Sequence, residues 1–314
     1  MQGKPNIPQL LALEALSDGL TPSAVALGLF DGVHLGHAAL LRFTAEEAKK
    51  RGVIPTVFSF REGSGIKAGL ARLTTPHERF ARMGECGISR VVLADFAALR
   101  DLSPEEFVRE ILIKKMNASL VVCGENFRYG RGGAGGRETL SAQLATHGVP
   151  LFVIPTEKLG EIPVSSSAVR AALEEGDAPL AAALLGRPFS LSGEVRHGKG
   201  LGHTVGIPTA NQLFPDGSVI PARGVYAVRV LLDGKVLRGI ANVGRRPTVE
   251  NVEVPNCETH ILDFSEDIYG AQMTVEFLYR LRPEMKFENI EALVRAVHAD
   301  IETAERMQLW NGQN

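Results

Sequence analysis

Residues 28–37 read Gly-Leu-Phe-Asp-Gly-Val-His-Leu-Gly-His. An apolar run, Ser23 to Leu29, precedes them and a helical pattern, Ala38 to Arg51, follows. Strand, glycine-bearing turn and helix N-terminus, in that order, form the first unit of a parallel α/β sheet. They also form a place to hold phosphates. A helix N-terminus carries roughly half a positive charge and free N–H donors. Gly32 and Gly36 let the backbone come close to a ligand, and His34 and His37, three apart, add donors around a phosphoryl group. Such an arrangement stabilises charge that develops at an α-phosphate under attack. It requires no nucleophilic side chain when both substrates bring their own oxygens.

Downstream the alternation continues. Ile54 to Phe60 is a second strand. Thr75-Pro76-His77-Glu78 opens a helix with a capping hydroxyl, a proline in the first turn and a glutamate three residues after the cap. Arg90 to Ala94 is strand again, and Ser103-Pro104-Glu105-Glu106 repeats the capping logic before a helix over Phe107 to Lys115. Leu120 to Cys123 and Leu151 to Ile154 are short buried strands. Continuous apolar strands between helices imply a parallel sheet covered on both faces. The glycine cluster Gly130 to Gly136 reads as a mobile loop.

The second half changes period. Val225 to Leu232 and Val236 to Val243 flank Asp233-Gly234, a strong hairpin signal. Glu258 to Leu262 and Met273 to Leu281 are further strands, so hairpins without helices between them indicate an antiparallel sheet or barrel. One helix closes the chain, with Ile290, Leu293, Val294, Val297 and Ile301 on one apolar face. A short helical stretch, Pro179 to Leu185, comes before the change. The boundary falls near Gly186, giving domains of residues 1–186 and 187–314.

The 314 residues suffice for about two domains of ~150 residues. Hydrophobic residues at 45% and charged residues at 22% suit a soluble globular chain. The net charge of −2 gives no overall attraction to nucleic acid or to an anionic membrane. Cys86, Cys123 and Cys257 form no C-x-x-C pair, and their odd count argues against a disulfide framework and for a reducing cytoplasm. Pro8, Glu14 and Asp18 interrupt the N-terminal leucines, which argues against a signal peptide. No apolar run approaches the ~20 residues of a membrane helix. The sequence leaves a homo-oligomer open.

Further segments carry chemistry. Gly124-Glu125-Asn126-Phe127-Arg128-Tyr129-Gly130 leaves a strand with an aromatic pair and an arginine, which suits a base or flavin edge. Ser165-Ser166-Ser167-Ala168-Val169-Arg170 opens a helix; its hydroxyls cap the helix or bind phosphate, and Arg170 can grip phosphate oxygens in bidentate fashion. In the second half, Gly193 to Gly202 is a glycine-rich turn with basic residues, followed by Gly206-Ile207-Pro208-Thr209-Ala210-Asn211. Glycines there permit N–H groups to wrap a triphosphate, and Thr209 and Asn211 offer neutral oxygens to Mg²⁺. Gly239 to Thr248 supplies another glycine turn with two arginines. Strand alternation sends Glu258 and His260 to the same face, where a carboxylate can take a proton from a hydroxyl attacking a γ-phosphate.

The order of these motifs resembles the bacterial bifunctional riboflavin kinase/FAD synthetases over nearly the whole chain. The resemblance implies a Rossmann-like nucleotidylyltransferase domain followed by a small antiparallel Greek-key barrel with a terminal helix. It implies ATP binding in the first domain by Phe30, Asp31, Gly32, His34, His37, Ser165, Ser166, Ser167 and Arg170, and flavin binding by Asn126, Phe127 and Tyr129. In the second it implies ATP binding by Gly198, Lys199, Gly206, Pro208, Thr209 and Asn211, with Mg²⁺ on Thr209 and Asn211 and Glu258 as base. The substrates it implies are riboflavin, FMN and ATP, and the products FMN and FAD. Two departures stand out. Leu29 occupies the place of a usual Asn, and Ser59-Phe60-Arg61-Glu62 replaces a usual Asp-Pro-His-Pro. They leave open a kinase without adenylylation, and the residues also leave open a flavin sensor without turnover.

Overall fold

The apolar run Ser23–Leu27 forms strand β2, which lies inside a six-stranded parallel sheet in the computed structural model. The structure describes residues 7–16, 21–62, 69–198, 206–247 and 253–310. Within them the first sheet comprises β1 (Gln9–Ala12), β2, β3 (Ile54–Phe60), β4 (Arg90–Ala94), β5 (Ala118–Gly124) and β6 (Leu151–Ile154), in the spatial order β1-β4-β3-β2-β5-β6. Successive residues of each strand serve opposite faces. Val25, Leu27, Val121 and Cys123 belong to one buried cluster, and Ala24, Ala26, Leu120 and Val122 to the other. Both faces are therefore covered, as uninterrupted apolar strands require.

Helix α1 (Leu35–Arg51) starts three residues before the apolar pattern suggested, because His34 supplies its cap. It stops at Gly52, whose left-handed φ of 67° ends the helix. Thr75 caps α2 (Pro76–Glu85) by accepting from the Glu78 N–H at 3.3 Å. Asp95 caps the short α3 (Phe96–Leu99). Ser103 and Glu106 form a reciprocal capping box, at 2.8 and 3.2 Å, at the start of α4 (Pro104–Glu106). The segment Phe107–Lys115, expected as an α-helix, is a π-helix. Met116 N–H closes the wider winding on the Ile111 carbonyl at 2.9 Å, and Phe107, Val108, Ile111 and Leu112 are buried. The Gly130–Gly136 run, read as a mobile loop, is a closed turn: Tyr129 and Gly135 exchange both backbone bonds, at 3.2 and 2.9 Å. Helix α5 (Arg137–Ala145) follows it.

The chain divides into two compact units, residues 1–166 and 167–314. A two-stranded ribbon, β7 (Lys158–Leu159) with β8 (Ile162–Pro163), ends the first. Helix α6 (Ser166–Glu175) starts at the division, and α7 (Ala178–Leu185), capped by Asp177, packs on strands of the second unit.

The second unit holds β9 (Phe189–Glu194), β10 (Ala210–Leu213), β11 (Gly224–Leu232), β12 (Lys235–Pro247), β13 (Glu253–Ile261) and β14 (Gln272–Arg282), in the order β10-β13-β12-β11-β14-β9. All pairs are antiparallel. Three hairpin-linked strands, β11 to β13, with β14 returning beside β11, make a Greek key. Asp233 and Gly234, both at positive φ, turn the β11–β12 hairpin. Gly239 to Pro247, read as a turn, lies within β12; Thr248 lies outside the described residues. Gly239 has no side chain because a Cβ there would stand 2.9 Å from the His260 carbonyl. The two end strands meet through Arg196 N–H to the Asn211 carbonyl at 2.8 Å and through the buried Gln212 amide, which donates to the carbonyls of Gly193 and Met273. That seam nearly closes the barrel. Helix α8 (Ile290–Arg306), capped by Asn289, packs Ile301 and Ala304 against Val225, Ala227 and Ile240.

Candidate active sites

The order of the parallel sheet locates the first site. From β2 the chain moves to β3 and β4, then crosses back over β2 to β5 and β6. The connections after β2 and β5 thus diverge, and a crevice opens at the carboxyl ends of these neighbours, where open α/β sheets bind ligands. The two loops that leave there are Gly28–His34 and Glu125–Tyr129. Topology brings together two motifs about a hundred residues apart in sequence.

The first loop is strained. Phe30, Gly32 and Val33 have φ of 55°, 79° and 40°. A non-glycine residue in this region costs of order 1–3 kcal/mol and persists only where its surroundings enforce it. Several contacts do so. Gly32 N–H donates to Thr74 Oγ1 at 3.3 Å, the Asp31 carboxylate accepts from Leu73 N–H at 3.0 Å, and Ser166 Oγ donates to the Asp31 carbonyl at 2.9 Å. The Phe30 ring folds back over Gly28, where a Cβ would stand 2.9 Å from it. Asp31 and Ser166, expected as ATP ligands, are therefore engaged in shaping the turn.

At the end of the loop His34 is buried and caps α1, its Nδ1 accepting from His37 N–H at 3.2 Å. An accepting Nδ1 puts the neutral ring's proton on Nε2, which makes that nitrogen the donor. The two histidine rings stack at 3.6 Å, and Phe30 meets His37 edge-on at 5.2 Å. The departures from the usual motif are absorbed locally. The Leu29 carbonyl accepts from Ser59 Oγ and from Arg79, both at 3.4 Å. Arg61 pairs with Glu14 and Glu62 with Arg72. Burial pushes the Arg79 guanidinium below its ordinary value, while Glu62 and Asp31 oppose that shift.

In the second loop Asn126 is exposed and Phe127 half-buried, stacked on Tyr129 at 5.9 Å. Tyr129 is buried, its hydroxyl donating to Gln143 Oε1 at 2.8 Å, and burial pushes its pKa up to about 12. It supports Phe127 from below. Ser165 is half-buried in the first unit; Ser167 and Arg170 lie on α6.

The second site is built from strand register. Asn211 on β10 pairs with Glu258 on β13, Glu258 with Asn242 on β12, Asn242 with Val225 on β11, and Val225 with Arg282 on β14. Residues directly opposite each other share a face, so these five form one row across five strands. The row of His260 and Ile240 lies beside it, as the alternation predicted. Four members of the first row, with His260 and Ile240, line a cavity of about 310 Å³ whose far wall is Leu293 and Val297 of α8. A second cavity, of about 360 Å³, is lined by Pro208, Thr209 and the segment Phe264–Tyr269, and Thr209 borders both. His260 Nδ1 bonds the Pro208 carbonyl at 2.9 Å, fixing the segment that carries Thr209. Asn211 is buried, donates to the Thr209 carbonyl at 3.3 Å, and packs so closely on Gly198 that no side chain fits there. Gly206, with φ of 74°, turns the chain into Ile207. Lys199 lies outside the described residues.

Sequence reading passed over several residues that these sites use. Asn256 Nδ2 donates to Glu258 Oε1 at 3.0 Å. Arg282 forks onto Asp300 of α8 at 2.9–3.1 Å, holding the helix against the cavity. Asn256 sits two residues before Glu258, a spacing that puts both on one strand face and was available as a signal. The Arg282–Asp300 pair spans 18 residues and carries no local signal.

The model of a riboflavin kinase family matches residues 185–308, and that of an FAD synthetase family residues 17–168. A bifunctional riboflavin kinase/FMN adenylyltransferase of Escherichia coli K12 is 36% identical over 286 residues, 89% of this chain and 91% of that protein. Proteins of the same description from Pseudomonas fluorescens and Bacillus subtilis are 38% and 34% identical, each covering 90% of this chain and 91% and 92% of their own lengths. A solved structure described as a macrolide-efflux protein from Streptococcus pneumoniae superposes with a TM-score of 0.85 at 30% identity, covering 94% of this chain and 98% of that one. Among the described residues here, no helix is long and apolar enough to cross a membrane. Two matched domains in sequence order, and relatives aligned over nine-tenths of their length, place this chain in the bifunctional riboflavin kinase/FMN adenylyltransferase family.

Proposed function

We propose that residues 187–314 phosphorylate riboflavin to FMN and residues 1–186 adenylylate FMN to FAD, both with ATP. The observation that carries the kinase half is the pair Glu258–Asn242, opposed across β13 and β12 and lining a cavity that Val225, Ile240, Leu293 and Val297 also border. Ile240, Val225 and Leu293 suit a planar isoalloxazine ring, while Glu258 takes the proton of the 5′-hydroxyl as its oxygen attacks the γ-phosphorus and ADP departs. The neighbouring cavity, which Pro208 and Thr209 line, takes the nucleotide, and Gly198 and Gly206 carry the phosphate role that their motif gives them. Asn211 spends its amide N–H on the Thr209 carbonyl, which leaves Oδ1 as a hard oxygen. With the Thr209 hydroxyl it makes a neutral oxygen pair suited to Mg²⁺ in the company of phosphate oxygens. When bound, the ion neutralises phosphate charge.

In the first domain His34 and His37 donate to the α-phosphate as a phosphate oxygen of FMN attacks it and pyrophosphate leaves. The strained turn aims helix α1 and both rings at one point, so positioning and electrostatics supply the rate. Asn126 and Phe127 border the flavin, with Tyr129 beneath. Phe30, Asp31 and Gly32 form the turn and Ser166 supports it; Ser165, Ser167 and Arg170 carry the phosphate role that their motif gives them. Three buried, unbridged cysteines suit the reducing cytoplasm.

Incubation with riboflavin, ATP and Mg²⁺, followed by chromatographic separation of the flavins, tests this reading. FMN and then FAD are expected. FMN without FAD, even when FMN is supplied directly, would reduce the protein to a kinase; no turnover would leave a flavin sensor.

A further inference from the structure

Three asparagines stand beside the Glu258 carboxylate. Asn211 and Asn242 oppose it across the two neighbouring strands, and Asn256 precedes it by two on β13. They are not equivalent. The Asn211 amide is turned to the Thr209 carbonyl. Asn242 borders the cavity itself. Asn256 is 4% exposed, and its amide donates to Glu258 Oε1 at 3.0 Å. Its neighbour on β12 is Gly244, which brings no side chain to compete for that amide.

The geometry has a chemical consequence. A carboxylate has two oxygens, and a general base must present one of them to the substrate proton. A donor on Oε1 fixes the carboxylate's rotation and leaves Oε2 as the one that faces the substrate. Burial of Asn256 in the sheet makes the donor immobile, so little ordering entropy is lost as the reaction proceeds. We infer that Asn256 is the positioning residue of the kinase site: it holds Glu258 by one oxygen so that the other meets the riboflavin hydroxyl. This rests on Glu258 being the base.

A double-mutant cycle on the full chain tests it, with riboflavin phosphorylation as readout. Asn256→Ala is expected to lower kcat by about tenfold or more, the scale of one hydrogen bond to a charged group, while KM for riboflavin and for ATP stays within about twofold. Asn256→Ser, which keeps a donor, is expected to recover part of the loss. In a Glu258→Gln background the same Asn256→Ala change is expected to cost nothing further, because its only route to the reaction is gone. The near-UV circular dichroism and denaturation midpoint of the barrel transition report that each variant is folded. A wild-type kcat in Asn256→Ala, or an equal loss in both backgrounds, would overturn the assignment of Asn256 while leaving Glu258 as base. Full activity in Glu258→Gln would remove both.

Discussion

In the function proposed above, the turn Gly28–His34 serves a phosphoryl group and the strand segment Asn256–His260 serves a hydroxyl proton, and the two are built in opposite ways. The turn departs from regular structure. It needs left-handed backbone at Phe30, Gly32 and Val33, and it stays in place because Thr74, Leu73, Ser59 and Ser166 each hold a backbone or carboxylate group of it. The strand departs from nothing. Glu258 faces its cavity because alternation sends it there, and its neighbours are set by antiparallel register. A helix N-terminus supplies a diffuse positive field, which suits a transition state spread over an α-phosphate. A sheet face supplies one carboxylate at one place, which suits a single proton transfer.

The strongest way to break this comparison is to show that the sites are not separable. Glu258→Ala is expected to lower riboflavin phosphorylation by about 10²–10⁴-fold, the usual worth of a general base, and to leave FAD formation from added FMN intact. His34→Ala combined with His37→Ala is expected to do the reverse. Quantifying both products for both variants by chromatography decides it, since one folded variant that lost both activities would end the division of labour.

Next in size is the latch on α8. Arg282 and the buried Asp300 make a forked ion pair, and truncating one partner leaves the other charge buried. Arg282→Ala is expected to destabilise the barrel unit by about 3–5 kcal/mol, the cost of breaking a buried pair. A denaturation curve by circular dichroism should show an early transition, while FAD formation from FMN persists below it. A single unshifted transition would mean that the helix is held by its apolar face alone. Smaller again is Gly32→Ala, which forces a Cβ onto φ of 79°. The expected cost is about 1–2 kcal/mol with a fall in adenylylation, against no effect on riboflavin phosphorylation. The kinetics of the two activities, measured on one sample, would expose a general folding defect instead.

The ease of reading the two sites from sequence follows from the same contrast. Alternation is a local rule, so the shared face of Glu258 and His260 was legible from their spacing. The cap of α1 was not: His34 is an uncommon capping residue, and the helix was placed three residues late. The π-helix over Phe107–Lys115 was illegible because the spacing of Phe107, Val108, Ile111 and Leu112 fits an α-helix equally well. Gly130 to Gly136 misled for a related reason. Glycine reads as freedom, yet Gly130 and Gly135 are there because Pro104 and the Tyr129 ring occupy the space of their side chains. The apolar stripe on α8 was legible in part, since Ile290 is exposed and the buried Ala304 was not among its residues, and it has two uses. Ile301 meets the barrel while Leu293 and Val297 border the cavity. A one-dimensional pattern does not distinguish an apolar wall from an apolar core.

A pH-dependent effect touches both units, through groups that neither site uses. Burial pushes the Cys123 thiol from its ordinary 9.0 up to about 11 and Cys257 up to about 12. Tyr226 is likewise raised, to about 12. In each the folded state favours the protonated form and holds its proton to higher pH than the unfolded chain does. Their contribution to stability is therefore complete below the unfolded value, and it is lost as pH rises from about 9 through 11 to 12. Two measurements check this at once. The free energy of unfolding should be level in these groups up to about pH 8.5 and fall above pH 9. A thiol reagent at pH 8 should find the native cysteines nearly inert, since reactivity needs both thiolate and access. Cys257 immediately precedes Glu258 on β13, and its side chain points to the opposite face, into the barrel interior. Rapid labelling of Cys257 in the native protein would mean that β13 opens. In that case the sheet-built site would be the softer of the two, and the contrast between a strained turn and a rigid strand would have to be reversed.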